Sequence, residues 1–214
     1  MIAIIGAGNV GTALGQRCRG AAETFVYGVP DPAKYEARGN DLHAPVLGVE
    51  DAIRQASIVI LAVPHAAAAS VAALLSDWEG RILVDATNPI APGMEGLTVG
   101  TATSAAEQLA AAANGARVVK AFNTTGAENL ANPRFPSAAA FLPVCGDDAS
   151  ARAAIVDLAL RMGFDAVDLG PLRAARYAEP FAMMWIHMAY ACGHGRSFAF
   201  ARMQRTTAPG AGGS

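Results

Sequence analysis

Residues 1–5, Met1-Ile2-Ala3-Ile4-Ile5, are a short continuous apolar run that breaks abruptly into Gly6-Ala7-Gly8-Asn9-Val10-Gly11. A strand buried on both faces of a parallel sheet requires an uninterrupted apolar run of this kind. Past the break, Val10, Leu14 and Cys18 recur at helical spacing. A Gly-x-Gly-x-x-Gly turn between a buried strand and a helix narrows the possible folds sharply. Gly6 permits the tight turn, Gly8 lets the backbone approach a pyrophosphate, and Gly11 lets the helix pack closely on the strand. The helix that starts after Gly8 turns unpaired N–H groups and the positive end of its dipole toward the same place. Asn9 and Val10 therefore join the three glycines as candidate nucleotide contacts. The bland alternative is a glycine-rich turn that holds no ligand, and the placement between strand and helix favours the nucleotide.

The same alternation continues along the chain. Strands are expected over residues 25–27, 57–63, 81–86, 118–122, 139–145 and 164–169, with helices between them over 49–56, 66–75 and 150–162. Asp31-Pro32 reads as an N-cap followed by proline at the first helical position. Ser104-Ala105-Ala106-Glu107 reads as a capping box, and Asp147 and Asp148 as caps of the helix from Ser150. Residues 180–205, apolar and aromatic, are expected to form one or two closing helices. Strands alternating with helices give an α/β fold, a Rossmann-like, doubly wound, mainly parallel sheet with a small C-terminal α/β extension. The expected layout is a single domain over residues 1–205, its core about 1–145 and its extension about 146–205, followed by a disordered tail over 206–214.

Composition removes several functions. The 214 residues carry a formal net charge of −2, which argues against a nucleic-acid partner. No run reaches ~18 apolar residues, so no membrane span is expected, and no basic segment precedes the first strand, so no signal peptide is expected. Cys18, Cys145 and Cys192 are widely spaced without a CxxC pair, which fits free thiols in a cytoplasmic protein. His187, Cys192 and His194 are three potential ligands where zinc needs four, so no metal is expected.

The second strand ends in Tyr27-Gly28-Val29-Pro30, without the carboxylate that an NAD site uses to accept from the ribose 2′-OH. Asp31 is the one candidate for that contact, with the N-cap as its other role. Lys34, and less directly Arg38, can instead reach a 2′-phosphate, so NADP is favoured over NAD. Ala62-Val63-Pro64-His65 closes a strand at the carboxyl edge, where doubly wound sheets hold ligands. His65 is either a contact to cofactor or substrate or a polar helix start, and no acid partner is visible for a base role. Met183, Met184, Trp185 and Met188 can either meet a flat ring or pack a closing helix. Arg173 and Arg176 can either hold an anionic tail or stand solvated.

Together these residues resemble the coenzyme F420-dependent NADP reductases and are similar to the cytosolic domains of STEAP-type metalloreductases. The resemblance is carried by Ile4 to Gly11, Val84-Asp85-Ala86-Thr87-Asn88-Pro89, Val118-Val119-Lys120-Ala121-Phe122-Asn123-Thr124, Val144 to Asp148 and Asp168 to Leu172. It implies hydride transfer between NADP(H) and a deazaflavin or flavin acceptor such as F420, FMN or FAD. It further implies that Asn88, Pro89 and Ala121 line the nicotinamide side, that Asn123, Thr125 and Ala127 lie between the two rings, and that Gly170-Pro171-Leu172 serves the acceptor side. A homodimer built on the apolar C-terminal helix is also implied. Two departures stand out. Gly28-Val29-Pro30 replaces the family's Gly-Ser-Arg phosphate motif, leaving Lys34 as its matching basic residue, and Asn123 and Thr125 replace a His and an Ile. A flavin-mediated ferric, cupric or quinone reductase and a non-catalytic dinucleotide-binding module remain as alternatives.

Overall fold

The computed structural model describes residues 1–36 and 42–205; Arg38 and the expected tail 206–214 lie outside them. In chain order the elements are β1 (Ile2–Ile5), α1 (Asn9–Gly20), β2 (Phe25–Val29), α2 (Pro32–Glu36), β3 (Val46–Gly48), α3 (Val49–Gln55), β4 (Ile58–Leu61) and α4 (His65–Ala72). They continue with β5 (Ile82–Asp85), α5 (Ala105–Ala112), β6 (Arg117–Lys120), α6 (Ala127–Ala131), β7 (Phe141–Gly146), α7 (Ala149–Arg161), β8 (Asp165–Asp168) and α8 (Ala175–Ile186). The strands form one sheet in the order β3-β2-β1-β4-β5-β6-β7-β8. All neighbours are parallel except β6 and β7.

The apolar runs are continuous because each strand feeds two cores. Ile2 and Ile4 enter the cluster that holds Leu14, Cys18, Ile60 and Val84. Ala3 and Ile5 enter the opposite one, with Val59, Leu61, Leu83 and Trp78. Side chains alternate across the sheet, so a strand covered on both faces needs apolar residues at every position. The strand order reverses between β1 and β4, which leaves a crevice at their carboxyl ends where such sheets place ligands.

Several local expectations are met with their stated chemistry. Ser104 caps α5, accepting from the Glu107 N–H at 3.2 Å and donating to its carboxylate at 2.8 Å. Asp31 Oδ1 accepts from the Lys34 N–H at 3.3 Å, the N-cap role. Asp148 caps α7 through the Ala151 N–H at 2.7 Å, whereas Asp147 accepts from the Leu172 N–H at 2.9 Å instead of capping a helix.

The C-terminal expectation needs correction. α8 starts five residues before Pro180 and runs through it. A π-turn follows over His187–Ala191, and residues 192–205 form no helix. Gly193 and Gly195 adopt φ of 73° and 71°, left-handed conformations that break the helix at glycine's low cost. The chain then runs back along the molecule. The Phe141 N–H donates to Phe200 O at 2.9 Å, Trp185 Nε1–H donates to Phe198 O at 2.8 Å, and Asn129 Nδ2 reaches Phe198 O at 2.6 Å. The aromatic content that suggested helix instead supplies ring contacts, Trp185 stacking on Phe198 at 5.4 Å. The three-residue strand β3 is too short to leave a pattern in the sequence.

Ser104→Ala removes a buried cap and is expected to lower stability by about 1 kcal/mol in urea denaturation. Arg176 pairs with Glu107 at 2.7 Å, and chiefly through that hydrogen bond Glu107's pKa is lowered from its ordinary value. A carboxylate depressed by folding contributes stability above its unfolded pKa and loses it as pH falls. Wild type and Arg176→Gln are therefore expected to differ in melting temperature above about pH 5 and to converge on acidification through the carboxylate range.

Candidate functional site

The glycine turn leads from β1 into α1. Gly6 has φ of 105°, and a Cβ there would lie 2.6 Å from the Ala62 carbonyl oxygen. A Cβ on Gly11 would collide with the Gly6 carbonyl oxygen. Both glycines are thus demanded by the protein itself. Gly8 is different. Its backbone is extended, with φ −80°, and a Cβ on it would meet nothing within 4 Å. Neither conformation nor neighbours require glycine there, so the position suits close approach by a group from outside. No side chain caps α1, and its first N–H groups have no intrahelical partners. Open space beside uncapped N–H groups fits a pyrophosphate.

At the end of β2 the Val29 side chain is buried and Pro30 is exposed, and neither side chain carries a hydroxyl or charge for a nucleotide's 2′-phosphate. Lys34 is exposed on α2. At the end of β4, Ala62 and Val63 pack against Gly6, and after the exposed Pro64 comes half-buried His65, the first residue of α4. His65 Nδ1 lies 3.4 Å from Thr87 Oγ1, and no carboxylate pairs with it among the described residues.

The ends of β5 and β6 are tied to each other. Asn88 Nδ2 donates to Asn123 O at 2.8 Å, and Asn123 Nδ2 donates back to Asn88 Oδ1 at 3.0 Å. Pro89 is buried, its carbonyl accepting from Thr98. Between the buried Ala121 and Asn123, Phe122 holds φ of 62°, a costly conformation for a bulky residue that persists only where the surroundings fix it. Beneath this pair lies a charge network without solvent access. Lys120 Nζ is 2.9 Å from Asp85 Oδ2, 2.7 Å from Thr87 O and 3.1 Å from Glu179 Oε1. Glu179 also accepts the Ala105 and Ala106 N–H groups at 3.0 and 3.2 Å, at the start of α5.

A cavity of about 240 Å³ brings Asn9, Val10, Asn88, Asn123, Thr125 and Ala127 together from three separate strand ends. Trp185, one of the residues able to meet a flat ring, also lines it, and its remaining walls come from residues that pattern reading did not assign there, including Met94, Glu128, Tyr190 and Arg196. Arg196 pairs with Glu128 at 2.9 Å on the rim. Through Met94 the cavity adjoins a broad open groove between residues 93–101 and α8, lined by Pro180, Met183, Met184 and His187. An acceptor of this cavity's lining residue Asn123, Oδ1, is buried without a partner, as is the neighbouring Thr124 hydroxyl, which lines neither space. Such orphans are costly and suit a ligand that brings its own N–H groups. Taken with Gly8 and the uncapped helix, they fit a nicotinamide dinucleotide.

Other candidates lie elsewhere. Gly170-Pro171-Leu172 lines neither space; Leu172 is buried under the sheet and the Gly170 carbonyl caps the end of β7. Arg176 is engaged by Glu107. Cys192 is exposed, and no metal-binding group of three occurs among the described residues. Burial pushes the Cys18 and Cys145 thiols up to about 12, so both stay protonated at neutral pH. The missed network had a signal: Asp85 and Lys120 are charged residues at the ends of apolar strands, and such residues fold inward only with partners.

Residues 1–89 match the family model described as NADP oxidoreductase, coenzyme F420-dependent. The chain is 31% identical over 179 residues to the metalloreductase STEAP3 of Rattus norvegicus, covering 83% of this chain and 35% of that protein. It thus spans about a third of the length of this curated relative. A solved hypothetical protein from Sinorhizobium meliloti is 34% identical, with a TM-score of 0.73 over 82% of this chain and 87% of the other. A protein proposed to be an F420-dependent NADP-reductase, from Arthrobacter sp. FB24, is 28% identical, with a TM-score of 0.78 over 94% and 99% of the two chains.

Fold and glycine turn define an α/β protein of the Rossmann-like class, similar to NADP-dependent oxidoreductases. Within that class the chain resembles the coenzyme F420-dependent NADP oxidoreductases, and it belongs to one family with the Sinorhizobium meliloti protein.

The glycine geometry separates two substitutions. Gly11→Ala forces a methyl against backbone and is expected to cost about 1–3 kcal/mol. Gly8→Ala is expected to stay within about 0.5 kcal/mol of wild type in the same urea titration.

Proposed function

We propose that the chain binds NADP(H) with its pyrophosphate on the Gly6–Gly11 turn and its nicotinamide in the cavity between Asn88 and Asn123, and that it exchanges hydride with a flat conjugated acceptor, a deazaflavin or flavin. The observation that carries this reading is the convergence of Asn9, Val10, Asn88, Asn123, Thr125 and Ala127 on one cavity. An adenosine binder has no use for it. When bound, the dinucleotide supplies a hydride donor or acceptor carbon. The protein's part is to bind, orient and exclude water. Gly8 admits the phosphates, and the N–H groups of α1 meet their charge. Lys34 serves the 2′-phosphate. Asn123 Oδ1 accepts from the ring's carboxamide, and Trp185 closes the cavity.

The acceptor enters by the neighbouring groove, whose methionines Met94, Met183 and Met184 offer a soft, adaptable apolar surface. Its volume, about 1040 Å³ against about 240 Å³ for the cavity, leaves room for a ring system larger than nicotinamide. The protein works in the cytoplasm as a homodimer joined through exposed side chains of α8, Tyr177 among them. A second reading, in which flavin passes electrons on to a ferric or cupric chelate or a quinone, draws support from the 31% identity to a metalloreductase. It requires no metal ligand in this chain.

Separate titrations with NADPH and NADH, followed by nicotinamide fluorescence, test the reading. NADPH is expected to bind at least ~10-fold more tightly, about 1.4 kcal/mol, with the advantage lost in Lys34→Ala. Gly8→Ala is expected to abolish binding while leaving the fold intact. Equal or tighter NADH binding in wild type overturns the assignment to NADP, and failure of both at millimolar concentration overturns the site. Turnover with F420, FMN or ferric chelate then separates the two acceptor readings.

A further inference from the structure

We propose that the buried Lys120–Asp85–Glu179 network is a positioning device that sets three walls of the nicotinamide cavity at once. The proposal rests on reading that cavity as the nicotinamide subsite. Lys120 donates to Asp85 Oδ2 and Thr87 O and pairs with Glu179 Oε1 at 3.1 Å. Asp85 Oδ1 takes the Thr87 N–H at 2.9 Å, so Thr87 is held by both its N–H and its carbonyl. The residue after it is Asn88, whose amide is thereby aimed across at Asn123. The second wall follows from the first. Asn123 Nδ2 donates to Asn88 Oδ1 and to Ala178 O at 3.4 Å, which leaves Asn123 Oδ1 as its acceptor side, buried and unpartnered. The third wall is α8. Glu179 bridges Lys120 and the first N–H groups of α5, fixing the helix that carries Trp185 into the cavity.

Stability alone does not explain such a trio, because buried ion pairs are often matched or bettered by apolar residues of similar volume. What apolar packing cannot supply is direction. Each of these charges has a fixed set of acceptors or donors, and they belong to the segments that must agree to within a fraction of an ångström. The left-handed Phe122, between Lys120 and Asn123, is the strain that such over-determination tolerates.

The test compares NADPH with 2′-phospho-ADP-ribose, which lacks the nicotinamide, in wild type and Glu179→Gln, alongside thermal unfolding. Glu179 touches no cavity-lining atom of the ligand side, so a purely structural role moves both ligands alike. The expected result is NADPH weakened at least ~10-fold with the fragment within about twofold. Equal weakening of both, or no change in a folded variant, overturns the positioning role. If Glu179→Gln does not fold, Glu179→Asp keeps the charge and withdraws it by one methylene. The same split is then expected at about threefold, and equal values for the two ligands overturn the proposal. Wild type binding NADPH and the fragment alike would remove the subsite reading and this role with it. Discrimination that persists unchanged in the variant removes the positioning role alone.

Discussion

A lysine ammonium with no access to water must have all its donors met by protein, since an unpaired buried charge is among the costliest defects a fold can carry. Lys120 meets that demand with one partner from the strand beside it, one backbone carbonyl past that strand's end and one carboxylate from the last long helix. Glu179 is in turn steadied by the N-terminus of α5, where the helix dipole favours an anion. The network therefore connects β5, β6, α5 and α8. Misplacing any of these would strand a charge, so the four hold one another in place.

The nucleotide end of the site is built on a different principle. Among the described residues no ionised side chain hydrogen-bonds the glycine turn, and its chemistry is backbone geometry: a left-handed Gly6, a Gly11 without room for a methyl, and a Gly8 that faces open space. One end of the crevice is thus shaped by what is left out and the other by charges locked in. A cofactor with a charged diphosphate at its middle and a neutral amide-bearing ring at its end matches that division.

How much of this was legible follows from how local each feature is. The strands other than β3, the glycine turn, the Ser104 capping box and the Asp31 cap are determined within a few residues by periodicity and side-chain reach, and each was readable. Residues 192–205 were not. Their aromatic content resembles a closing helix, yet Gly193 and Gly195 turn the chain so that Phe198 and Phe200 pack on Trp185 and Phe181. Gly170-Pro171-Leu172, assigned to the acceptor side by family resemblance, instead finishes the outer strands of the sheet. For Trp185 the sequence left ring contact and helix packing open, and the tertiary structure makes it a cavity wall.

The sequence by itself determined that a buried strand runs into a phosphate-sized turn at a helix N-terminus, because glycine conformation and hydrophobic period act over a handful of residues. Which side chains would meet across the crevice was settled only by the tertiary structure. Asp85 and Lys120 are partners because the parallel register of β5 and β6 sets them side by side. Asn88 and Asn123 face each other, 35 residues apart, because both strands end at the same level. Glu179 reaches Lys120 from α8, 59 residues further along the chain. Strand order and register belong to the whole chain's packing, and no local pattern encodes them.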